Sequence, residues 1–163
     1  PGVALLEATN VSEGRGTDAP FLMFGAPWLD PTRLKLDVPG FRFLPTRFTP
    51  RPSSGEPEPK YAGRECAGIR VEVTDPAAAD PYRLGVALLE ALADQPGFEW
   101  RKGGAALTWL LGTPRLGERL ATVATVDEVA AADATDVLAW FEERRPALLY
   151  PETAAVAGDS RGQ

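Results

Sequence analysis

Hydrophobic positions change their spacing about halfway along the chain, and the change predicts two kinds of element. In the first half, apolar residues come in short runs or alternate with polar ones. Residues 3–9 begin with the run Val-Ala-Leu-Leu, which predicts a buried strand bounded by Gly2 and Asn10. Residues 21–24 predict a short second strand closed by Gly25-Ala26-Pro27. Asp30-Pro31 joins an N-cap to a first-turn proline and predicts a short helix to Leu36, broken by Val38-Pro39-Gly40. Residues 41–48 read FRFLPTRF, an alternating strand in which Pro45 marks an edge or a bulge. Residues 69–73 alternate most cleanly, with Ile69, Val71 and Val73 on one face and Arg70 and Glu72 on the other. Between these two strands, residues 50–60 read PRPSSGEPEPK, and the four prolines predict an exposed loop.

The second half repeats at helical spacing. Asp80-Pro81 is again a cap followed by proline, and Leu84, Leu88 and Leu92, with Leu89 beside them, form a core-facing stripe on a helix to about Ala93. Phe98-Glu99-Trp100 predicts a short edge strand. Helices are predicted over 105–111, 114–123 and 133–145. Thr125 and Glu128 make a capping box, and Arg144-Arg145 sit at a helix end just before Pro146. Trp109 and Trp140 fall in the helical stripes and are expected in the core. Strands early and helices late predict an α+β (or mixed α/β) fold, a small mixed sheet covered by helices with a helical C-terminal third. Residues 1–150 are expected to form a single domain, and 151–163, small and polar, a frayed tail.

Composition narrows the function classes. The 163 residues are 44% hydrophobic and 25% charged, as in an ordinary globular protein. A net charge of −6 and no basic run beyond Arg144-Arg145 argue against a nucleic-acid partner, which requires clustered cations. No apolar stretch approaches the ~18 residues that read as a membrane span. The chain contains no histidine, which removes imidazole acid–base chemistry, Ser-His-Asp and Cys-His nucleophiles, and His-ligated metals. The single cysteine, Cys66, excludes an intrachain disulfide, and its place before a buried strand predicts a small core residue. No metal and no cofactor are expected. The start at Pro1-Gly2, without Met, predicts a fragment or a processed product.

The stretch EATNVSEGRGT, residues 7–17, carries the candidate chemistry. Gly14 and Gly16 flank Arg15 and allow positive φ on either side, so that backbone can approach a ligand closely. Arg15 presents a planar fork suited to a carboxylate or phosphate. Asn10, Ser12 and Thr17 supply the neutral donors and acceptors that sugars and amides need, and Glu7 and Glu13 are placed to orient hydroxyls. The same residues also make a self-satisfied turn, with Arg15 paired to its neighbouring glutamates. A second cluster, KYAGRECAG at 60–68, offers Lys60, Tyr61 and Glu65 to a polar ligand. Trp28 and Trp100 suit either sugar stacking or packing.

These segments, in this order, resemble the C-terminal part of the NamZ-type exo-β-N-acetylmuramidases: EATNVSEGRGT, FGAPWLD, FRFLPTRFTP, KYAGRECAG leading into IRVEVTD, FEW, and a closing helix ending in LLY. The resemblance spans residues 3–150. It implies a bacterial peptidoglycan glycosidase that releases N-acetylmuramic acid. It further implies that an N-terminal Rossmann-like domain carries the catalytic glutamate and that this chain is the auxiliary domain across the substrate cleft, inactive alone. Glu7 and Glu13 become possible assisting carboxylates, with no certain catalytic residue here. Asn10, Ser12, Gly14, Arg15, Gly16, Thr17, Lys60 and Tyr61 become the expected contacts for a muramyl saccharide. The implied location is periplasmic, secreted or in cell-wall recycling. The alternative is a free-standing saccharide- or protein-binding domain without catalysis.

Overall fold

The computed structural model describes residues 1–55, 57–112, 114, 117 and 126–150. The helix expected over 114–123 (apart from positions 114 and 117), the Thr125 cap and the tail after Tyr150 lie outside the described residues. The chain divides into a unit of residues 1–130 and a second that begins at Ala131.

The first unit has an α+β architecture. Strands β1 (Met23–Ala26), β2 (Phe41–Phe48) and β3 (Cys66–Val73) form a three-stranded sheet in the order β1-β3-β2. Both pairings are antiparallel, so the sheet expected to be mixed is not. β3 is central, its backbone paired with β1 on one edge and with β2 along its whole length on the other, and on it Ile69 and Val71 are buried while Arg70 is exposed. Val73, expected on the buried face, ends the strand in solvent. Pro45 stands on edge strand β2, where its missing N–H breaks no ladder on a second side. Arg42 pairs with Glu72 directly across the β2–β3 register at 2.6 Å.

Residues Gly2–Ala8 are a 3-10 helix, not the expected strand. A continuous apolar run does not distinguish the two conformations. Its large buried side chains, Val3 and Leu6, stand three positions apart, which matches the three-residue turn, and Gly2 and Ala8 are buried with them. Thr9 closes the helix, its hydroxyl donating to Leu6 O at 2.8 Å. Helix α1 (Pro81–Ala93) forms as the sequence predicts, with Asp80 accepting from the Tyr82 and Arg83 amides and Leu84, Leu88, Leu89 and Leu92 buried. It lies against the 3-10 helix at a backbone-close approach, where a side chain on Gly85 would meet Gly2 O at 2.9 Å. Phe24, Ile69 and Val71 from the sheet complete that core, and Ala19, Met23, Phe48 and Cys66 make a second, smaller one.

Three further expectations change. The element after Asp30 is a single 3-10 turn, Pro31–Arg33, because Leu34 is already extended. Phe98-Glu99-Trp100 contributes only an isolated bridge, Thr9 to Trp100, with Phe98 edge-on to Trp100 at 5.0 Å. Helix α2 (Ala105–Leu111) appears as expected, but it buries Leu107 alone among its residues, and Trp109, two positions on and therefore on the opposite side, is 64% exposed. Lys102 covers the Trp109 ring, with Nζ 4.4 Å from its centroid.

Helix α3 (Val126–Arg144) starts before the expected position 133, with Asp127 and Glu128 in its first turn. Val129 is buried in the first core. Described residues of the second unit comprise the rest of this helix, the 3-10 turn Arg145–Ala147 and residues 148–150. Trp140, expected in the core, is exposed and packs on Phe141 and Arg144. Among the described residues no helix is long and apolar enough to cross a membrane.

Candidate functional site

The opening motif is held from three sides. Asn10 N–H donates to Glu99 O at 2.9 Å. The Asn10 side chain completes that clasp, its amide donating to Gly97 O and its carbonyl accepting from Glu99 N–H. On the other side Ser12 exchanges backbone hydrogen bonds with Gly25 of β1. From below, Lys60 reaches in from the end of the proline-rich loop. Its Nζ donates to Leu6 O at 2.9 Å, Val11 O at 2.8 Å and Glu13 Oε2 at 2.9 Å. An ammonium has three N–H donors, and all three are used. Burial lowers the Lys60 ammonium below the usual lysine range, against the opposing pull of Glu13.

The result is a cleft of about 500 Å³ lined by Glu7, Thr9, Asn10, Glu13, Arg15, Glu58, Pro59, Lys60, Tyr61 and Arg101. Arg15 Nη2 donates to Glu7 Oε1 at 2.6 Å, and its Nε lies 3.8 Å from Glu13 Oε1. Its guanidinium also covers the Phe21 ring at 5.2 Å. Glu13 is buried beneath this pair, while the Glu7 side chain is 26% exposed at the cleft. Tyr61 donates to Asn10 O at 2.6 Å and accepts from Trp28 Nε1 at 3.0 Å. Burial raises its phenol above the ordinary value. Trp28 is thereby drawn into packing beside the site.

Six of the expected contacts and carboxylates therefore converge on one cleft: Glu7, Asn10, Glu13, Arg15, Lys60 and Tyr61. Ser12 does not join them, since it is buried and its Oγ accepts from Gly14 N–H at 3.3 Å. Thr17 also turns inward, donating to Gly14 O and accepting from Ala19 N–H. Gly14 and Gly16 have positive φ, 81° and 78°, as expected of their positions. The close approach they permit is to the chain itself. A Cβ on Gly14 would lie 2.8 Å from Met23 O, and one on Gly16 would lie 2.7 Å from Arg51 O and 2.8 Å from the Pro59 ring.

Sequence reasoning missed Arg101, Glu58 and Thr9 as lining residues. Arg101 follows the segment paired with Asn10, and its Nη1 donates to Glu7 O at 3.0 Å. Nothing local announces a contact across 94 positions. Cys66 is buried away from this cleft, its thiol pushed up to about 11 chiefly by burial, which leaves it inert as a nucleophile. Among the described residues, no group of histidine, cysteine and carboxylate side chains is gathered to hold a metal. In chemical terms the cleft presents fixed carboxylates and cations, groups that can bond hydroxyls and oppose charge.

Residues 1–150 match the family described as exo-β-N-acetylmuramidase NamZ, C-terminal. The peptidoglycan β-N-acetylmuramidase NamZ of Bacillus subtilis is 35% identical over 99 residues, which cover 58% of this chain and 22% of that protein. Two solved DUF1343 family proteins of Bacteroides fragilis share the fold. One aligns with a TM-score of 0.73 at 20% identity, over 93% of this chain and 41% of that one. The other aligns with a TM-score of 0.67 at 24% identity, over 93% and 39%. The chain thus spans about a fifth of the length of the curated relative and about two fifths of each solved structure.

Proposed function

Because the chain belongs to the family of C-terminal domains of the exo-β-N-acetylmuramidase NamZ, we propose that it forms one wall of the saccharide cleft in a longer peptidoglycan glycosidase. Residues 1–150 act as the auxiliary domain. A partner domain of the same protein, Rossmann-like and N-terminal, supplies the principal catalytic carboxylate. The chain by itself hydrolyses nothing.

The observation that supports this reading is the cleft itself. Residues of the opening motif and of the 58–61 segment meet Arg101 around one concavity, with three cations and three carboxylates on its lining. A muramyl saccharide brings hydroxyls, an acetamido group and a lactyl carboxylate, each a match for fixed charges of this kind. Of the two carboxylates in the motif, Glu7 is the more accessible to such a ligand. Glu13, held by Lys60, shapes the floor. If Glu7 assists the missing carboxylate, the two must stand about 5–9.5 Å apart when the domains close on substrate.

Crystals of the full-length protein soaked with N-acetylmuramic acid test the reading. Sugar density bordered by Glu7, Arg15, Tyr61 and Arg101 is expected. Density elsewhere with this cleft empty overturns it. In parallel, the full-length protein is expected to release N-acetylmuramic acid from peptidoglycan fragments, and this chain alone to release none. Saccharide binding without hydrolysis by the full-length protein would instead favour a binding module.

A further inference from the structure

The cations of the cleft differ in how much hydrogen-bonding capacity they have left. Lys60 has committed its three N–H groups to Leu6 O, Val11 O and Glu13. Arg15 faces Glu7, Glu13 and the Phe21 ring. Arg101 makes one hydrogen bond among the described residues, Nη1 to Glu7 O, and a guanidinium carries five N–H donors. It is exposed and lines the cleft. Glu7 and Glu13 are ion-paired to Arg15 and Lys60, and among the described residues neither forms an ion pair with Arg101. Glu58, exposed on the same lining, forms no ion pair with it.

Its position is also built. The 97–100 segment is clasped to Asn10 and bridged to Thr9, which delivers Arg101 to the Glu7 carbonyl. Immediately afterwards the chain turns away through Lys102 and Gly103, both left-handed at φ 51° and 61°. A left-handed lysine is uncommon and is retained where the surrounding structure requires the turn.

We propose that Arg101 is a specificity-determining residue, the group that takes the carboxylate of an acidic amino sugar. Arg15 is then the residue that keeps Glu7 from competing for it. The inference rests on the reading of this cleft as a saccharide site.

The test uses the full-length protein and two sugars that differ in the lactyl carboxylate, N-acetylmuramic acid and N-acetylglucosamine, titrated by calorimetry or NMR. The native protein is expected to prefer the acidic sugar at least about tenfold, the scale of one charge-assisted hydrogen bond. Arg101→Gln is expected to abolish that preference while leaving N-acetylglucosamine binding within about twofold. Arg101→Lys, which keeps the charge but not the fork, is expected to retain part of it. A native protein without preference overturns the acidic-sugar reading of the cleft. A native preference that survives intact in Arg101→Gln overturns the role of Arg101 alone. Should Arg101→Gln bind neither sugar, Arg101→Lys decides: a retained preference supports the proposal, and loss of both sugars makes Arg101 structural.

Discussion

Lys60 Nζ lies 2.9 Å from Glu13 Oε2, a charge pair between residues 47 positions apart that ties the proline-rich loop to the opening motif. Both side chains are largely buried. Removing one partner of such a pair leaves the other as an uncompensated charge. Lys60→Met is expected to cost about 3–5 kcal/mol of unfolding free energy. Adding Glu13→Gln to it should recover a large part of the loss, since the stranded carboxylate is then gone. Urea unfolding of the four proteins in this cycle measures both effects, and a loss below about 1 kcal/mol for Lys60→Met would show that the pair holds little.

Arg15 reaches Glu7 with one nitrogen and faces Glu13 with another. A lysine ammonium cannot present that fork. Arg15→Lys in the full-length protein is therefore expected to weaken N-acetylmuramic acid binding by about 1–3 kcal/mol, the scale of a hydrogen bond to a charged group. Calorimetry reads this directly, and an unchanged affinity removes Arg15 from the site.

Gly16 combines a φ of 78° with contacts that leave no room for a side chain. Gly16→Ala is expected to lose about 1–3 kcal/mol through backbone strain and the clash with Arg51 O. Gly55→Ala, where nothing lies within 4 Å of a new Cβ, should stay within about 0.5 kcal/mol. Thermal melts of the two variants give the comparison, and equal losses would refute the steric account.

Cys66 predicts an alkaline dependence with a definite sign. Burial raises its thiol from 9.0 to about 11. Between those values the unfolded chain has released the proton and the folded chain has kept it, so the Cys66 contribution to stability is complete below 9.0 and falls as the pH rises toward about 11. The stability difference between the native protein and Cys66→Ala should shrink over this interval. Alkylation by iodoacetamide at pH 8 should be slow until denaturant is added. Rapid labelling of the folded protein would contradict the burial.

Some of this protein could be read from its residues alone. Asp80-Pro81 caps helix α1, the leucine stripe faces the core, Pro45 lies on an edge strand, and Ile69 and Val71 alternate with Arg70, because caps, prolines and periodicity act within a few residues of themselves. The opening motif was legible as a concentration of polar groups beside two left-handed glycines. Tertiary contacts decided what those groups do. The Val3–Leu6 run packs as a 3-10 helix with its large buried side chains three apart, which an unbroken apolar stretch does not reveal. Ser12 and Thr17 bond to their own backbone, Lys60 is consumed by three acceptors, and Arg101 arrives at Glu7 from 94 positions away. A short-range pattern sets which conformation a segment prefers. Which donors a segment has left for a ligand depends on neighbours that only the folded chain brings near.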